Sequence, residues 1–180
     1  MTAGDAATDR PAEVATTGAA GPVVVAAMGN AYRRDDGAGE AVVARVARHL
    51  GAGPAPAAGV VTVGPFADPL DLLGPWDGAR LAVVVDAVRT GAAPGTVVVL
   101  DLDAGARPPA GTRVATTHGL GIADALRLAR VVERAPARVV VVGIEGADFS
   151  QGDGLSDPVA GAVEEAAGRV LELVGAPPCA

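Results

Sequence analysis

Lysine is missing from this 180-residue chain; all fourteen basic residues are arginine. That excludes a phosphoacceptor receiver domain, which also places an acidic pair after its first strand and an aspartate at the end of its third. Such a domain needs a lysine near its last strand to neutralise the phosphoryl group. Cysteine occurs once, as Cys179, so no internal disulfide can form, which fits a reducing cytoplasm. Serine is almost as scarce. Ser150 and Ser156 are its only serines, neither stands in a Gly-x-Ser-x-Gly turn, and no cysteine lies near His118. A hydrolase built on this chain would therefore work through metal or water, not through a covalent serine or cysteine step. Aromatic residues make up 2% of the chain against 50% hydrophobic residues, so the core must be Val, Leu, Ile and Ala. No apolar run approaches the ~20 residues of a membrane span, and the N-terminus has no basic region followed by an apolar one, so no secretory signal is expected. The net charge of -7, with no cluster of arginines, argues against nucleic acid as a partner.

What is present is a chain long enough for one domain with a sizeable core. Residues 1–21 hold Ala, Thr, Gly and Asp without apolar periodicity and read as a disordered tail. The domain is expected over residues 22–175. Continuous apolar runs at Val23–Met28, Leu81–Val85 and Val139–Ile144 predict strands buried on both faces. Val60–Val63 predicts a further strand, and Thr96–Leu102 another. Only about nine residues join Asp86 to Thr96, too few for a parallel crossover. That strand is thus expected to be antiparallel, at an edge of the sheet. Helical spacing predicts helices over Gly39–Leu50, with Gly51 ending it, over His118–Val132, and over Val159–Val174 capped by Asp157 with Pro158 just inside. Asp68-Pro69 opens a short helix through Leu73. The fold class is α/β: three layers, α/β/α, around a five-stranded, mostly parallel twisted sheet with one antiparallel edge strand.

The stretch from Ala27 to Glu40 has the layout of a site at the carboxyl edge of such a sheet: strand, acidic loop, helix. Asp35 or Asp36 suits a helix cap, yet two adjacent acids in a glycine-bearing loop repel one another, as they do where a cation arrives. Asp86 closes the run Leu-Ala-Val-Val-Val-Asp and either points into the ligand crevice or is satisfied by loop amides. His118 either starts a helix at the surface or ligates. His49 lies in the last turn of the first helix and complements its dipole. Two carboxylates and an imidazole at the rim of one sheet would make a divalent-metal site with open positions, plausible for nickel or zinc. A dinucleotide-binding module is disfavoured, because the first strand is followed by a single glycine and by acids where pyrophosphate would sit.

Four stretches, in order, resemble one family. Gly29-Asn30, four residues, then Asp35-Asp36-Gly37-Ala38-Gly39 resembles the N-terminal signature of the hydrogenase maturation proteases. Val85-Asp86-Ala87-Val88-Arg89-Thr90-Gly91 with Pro94-Gly95 looks like its second motif, and Thr117-His118-Gly119-Leu120 like its third. Gly143-Ile144-Glu145, followed by Gly154-Leu155-Ser156, is similar to its C-terminal pattern. The resemblance spans about residues 22 to 174. It implies a cytoplasmic endopeptidase that trims the C-terminal extension from a [NiFe]-hydrogenase large-subunit precursor. It also implies that Asp36, Asp86 and His118 bind the nickel already carried by that precursor. A monomer is expected, with no nucleic-acid or membrane partner. The alternative is a non-enzymatic metal-binding or chaperone-like module that holds the same precursor. Three departures stand out: Ala27 where the family usually has glycine, Asp36 where many relatives have the longer glutamate, and the tail before Gly21. Asp35, Asn30 and Arg89 are second-tier candidates. Asn30 is read as holding its loop through backbone bonds, Arg89 as a substrate contact or a solvated loop residue, and Glu145 as a border of the cleft.

Overall fold

The computed structural model describes residues 21–52, 59–102, 115–116 and 121–176. His118 and Cys179, both named above, lie outside the described residues, as does the tail before Gly21. The five main strands are β1 (Val23–Met28), β2 (Val60–Phe66), β3 (Leu81–Arg89), β4 (Val97–Asp101) and β6 (Val139–Glu145). They form one sheet in the order β2-β1-β3-β6-β4. The pairs β1/β2, β1/β3 and β3/β6 are parallel, and β4 runs antiparallel to β6 at the edge, as expected. A two-residue strand, β5 (Ala115–Thr116), pairs antiparallel with Val88 and Arg89.

The apolar runs are buried because helices cover both faces. Odd-numbered β3 residues Leu81, Val83 and Val85 share a core with α1 (Ala38–Ala52) and α4 (Asp157–Val174). Even-numbered Ala82 and Val84 pack on the other face with Trp76 of α2 (Leu73–Trp76) and with Ile122, Leu126 and Ala129 of α3 (Ile122–Val131). This period of two is what a strand buried on both sides must show. Among the described residues no helix is long and apolar enough to cross a membrane.

Several boundaries differ from expectation. β3 does not stop at Asp86; it runs on to Arg89, because β6 pairs with it as far as Val88 and β5 pairs with its last two residues. The helix expected from His118 begins at Ile122, with Gly121 extended at its N-cap. It ends at Val131, which leaves Val132 half exposed instead of buried. α1 continues past Gly51 to Ala52. Helix α4 starts at Asp157 itself, so the N-cap is Ser156, whose side chain makes no capping bond. By contrast Asp68 caps its short helix as predicted, its carboxylate accepting the Leu70 N–H at 2.9 Å.

Candidate active site

The strand order places a topological switch point between β1 and β3: the chain leaves β1 for β2 on one side and returns to β3 on the other. Crevices form outside the carboxyl ends of strands at such points. Asp36 follows β1 and Asp86 lies near the carboxyl end of β3, so the fold brings both acids to this crevice.

The loop after β1 is shaped by its glycines. Gly29 has φ +117°, and a methyl there would strike the carbonyl of Asp36. Gly39 sits where α1 crosses the sheet, and a methyl there would collide with the carbonyl oxygens of both Met28 and Val85. The motif glycines thus let the helix start lie against β1 and β3 and bring the acidic turn down onto the sheet edge. Gly39→Ala is expected to cost about 3 kcal/mol through overpacking, read as a lower midpoint in urea; an unchanged midpoint would contradict this close approach. Asn30 behaves as predicted: its side-chain oxygen accepts the Tyr32 N–H at 3.0 Å. Ala27 is buried in the α1 face of the core.

Asp35 and Asp36 share one turn of 3-10 helix, Arg34–Gly37, and both are buried. They have different environments. Asp35 turns toward the loop between β6 and α4. It accepts the N–H groups of Ala147, Asp148 and Ser156 at 2.8, 2.8 and 2.7 Å and the Ser156 hydroxyl at 2.9 Å. Burial pushes its carboxyl up, but these bonds outweigh burial and hold it below the usual carboxylate range. Asp36 instead accepts the Asn30 N–H through Oδ2 at 3.1 Å.

Asp86 is fully buried, and neither of its carboxylate oxygens has a hydrogen-bond partner. Burial is the main cause of a pKa pushed up to about 7, and the negative charge of Asp36 adds to it. The Ala87 amide opposes this weakly, without the alignment of a hydrogen bond. The reading of Asp86 as an acid satisfied by loop amides is therefore contradicted. Native interiors leave few polar atoms unpaired, and a buried carboxylate coupled to a second one suits an arriving cation. Both acids fit that chemistry. Among the described residues no group of three His, Cys, Asp or Glu side chains gathers as a metal set.

Glu145 is not free to serve the crevice. Its carboxylate accepts the Thr90 N–H at 2.8 Å, the Thr90 hydroxyl at 2.7 Å and the Gly91 N–H at 3.0 Å, fastening the turn that leaves β3. Arg89 lies with its guanidinium 4.1 Å from the ring centre of Phe149, a cation–π contact. Sequence reasoning did not find the roles of Asp35 and Glu145. Their partners lie 112 to 121 and 54 to 55 residues away along the chain, and no spacing rule reaches that far.

The family model of the hydrogenase maturation proteases matches residues 45–173. The chain belongs to this family. The matched segment of this hydrogenase maturation protease includes Asp86 and His118 and begins after Asp36. No curated protein matches it by sequence. Among solved structures it is similar to the hydrogenase maturating endopeptidase HybD from E. coli. The two are 26% identical with a TM-score of 0.67, over 86% of this chain and 92% of that one. An endopeptidase from Escherichia coli, solved in solution, is 26% identical with a TM-score of 0.69, over 84% and 90% of the two chains. The [NiFe] hydrogenase maturation protease HybD from Thermococcus kodakarensis shares the fold at 24% identity and a TM-score of 0.66, over 85% of this chain and 99% of that one.

Proposed function

We propose that this member of the family is an endopeptidase that removes the C-terminal extension of a [NiFe]-hydrogenase large-subunit precursor. In this reading Asp36, Asp86 and His118 address the nickel that the precursor already carries. The observation that carries the reading is the buried, unpartnered carboxylate of Asp86, whose pKa the neighbouring charge of Asp36 helps to raise. A cation from the substrate would satisfy both acids at once. His118 comes to the site from the resemblance, and chain connectivity supports it. Thr116 is paired with Val88, which shares a strand face with Asp86. The two residues from Thr116 to His118 span at most about 7 Å.

When bound, the nickel supplies a positive charge that favours ionised Asp86 and fixes where the precursor sits. The chain's own residues do the rest. Before the substrate arrives Asp86 holds its proton up to a pKa of about 7, and the arriving cation would favour its release. No serine is available as a nucleophile in the described site, since the Ser156 hydroxyl is committed to Asp35. Water is the attacking group in this reading.

The test is incubation of nickel-loaded precursor with the protein, followed by intact mass measurement of the large subunit. Loss of a C-terminal peptide is the expected result. An unchanged mass in a stable complex would favour the chaperone-like module and overturn the protease.

A further inference from the structure

We infer that Asp35 is a positioning residue, which clamps the β6–α4 loop to the acidic turn and thereby fixes where the Asp36 carboxylate points; this rests on the site proposed above. The two acids are neighbours in a single 3-10 turn, where successive side chains project about 120° apart. A rotation of that turn's backbone moves both side chains together. Asp35 spends all its visible hydrogen-bonding capacity on the distant loop: one oxygen takes Ala147, Asp148 and the Ser156 hydroxyl, the other takes the Ser156 amide.

Backbone bonds seat the same two segments together. The Arg34 N–H donates to the Gly152 carbonyl at 3.0 Å, the Gly152 N–H to the Tyr32 carbonyl at 2.9 Å, and the Asp35 N–H to the Asp148 carbonyl at 3.0 Å. These hold the loops side by side, and the Asp35 side chain adds four bonds between the same segments. Arg34 adopts φ +49°, a left-handed conformation that costs energy for a residue other than glycine. The turn is thus not at rest in its local preference and is held by what grips it from outside. Ser156 gives up its usual capping bond to α4 in favour of Asp35. The start of α4 is thereby linked to the turn that carries Asp36.

The experiment uses the full chain and nickel-loaded precursor, with steady-state cleavage followed by mass, at a temperature where circular dichroism shows every variant folded. Asp35→Asn keeps the shape but sets an amide donor against donors. It is expected to lower kcat/KM by about 10- to 100-fold, as loss of a residue that orients a site ligand does. Ser156→Ala removes one of the four donors and is expected to lower kcat/KM by about threefold or more. The double variant should be no worse than Asp35→Asn alone, because both cut the same link. A purely structural role would lower the thermal midpoint and leave kcat/KM at wild type, and that result would overturn the inference. If Asp35→Asn does not fold, Ser156→Ala decides alone, and wild-type kcat/KM there overturns it. Asp36→Asn is the control. If it is inactive while Asp35→Asn and Ser156→Ala match wild type, the clamp fails and the site stands. If Asp36→Asn cleaves normally, the site itself fails, and the clamp falls with it.

Discussion

Asp86→Asn is expected to abolish precursor processing and, in the same protein, to raise stability at pH 8. The loss of activity follows from its place: the variant keeps the shape but can neither take up a proton nor meet a cation with negative charge. A loss of about 10²- to 10⁴-fold is expected if Asp86 moves a proton, measured as the rate of mass loss from the large subunit. The gain in stability follows from burial. A buried carboxylate with no hydrogen-bond partner strains the folded state, and an amide of the same shape removes the charge.

The pH dependence gives this a sign. The Asp86 pKa is about 7 in the folded chain against 3.8 for the free group. Between those values the folded state binds the proton more tightly than the unfolded state. The contribution of Asp86 to stability is therefore greatest below about pH 4, falls as pH rises toward 7, and is flat beyond that. At about 1.4 kcal/mol per pKa unit, the whole effect is on the order of 4 kcal/mol without a bound cation. Urea titrations at pH 5 and pH 8 should show this slope in the wild type and not in Asp86→Asn. Equal slopes in both proteins would remove Asp86 as its source.

His118→Ala is expected to stop processing with a loss of similar size, while the far-ultraviolet circular dichroism stays that of the wild type. In the proposed reading the imidazole would reach the site by the short tether from Thr116, which β3 holds opposite Val88. The decisive measurement is again the mass of the large subunit after incubation. Cleavage at the wild-type rate would take His118 out of the site and leave Asp36 and Asp86 without their proposed third partner.

The two acids show how far a sequence can be read. Asp35 and Asp36 are indistinguishable as letters, and either suits a cap or a cation. Their difference arises because one bonds Ala147, Asp148 and Ser156, and the other accepts the Asn30 N–H and raises the pKa of Asp86. Asp86 was legible as an acid at a strand's end, but the strand runs three residues further, since β5 and β6 supply partners for Val88 and Arg89. That neither of its oxygens finds a hydrogen-bond partner is a fact of packing that no apolar run reveals.

The sequence by itself determined the layers: three valine-rich runs with no polar break can only be strands covered on both faces, and the short link after Arg89 forced β4 to the edge. It also determined the turn after β1, because Gly29 and Gly39 stand where a side chain would meet backbone. Only the tertiary structure decided that β1 and β3 are neighbours, and so that acids fifty residues apart share one crevice. The physical reason is range. Propensity, capping and periodicity act over a few residues, whereas strand order and the pairing of buried charge are settled by contacts the chain makes after it has folded.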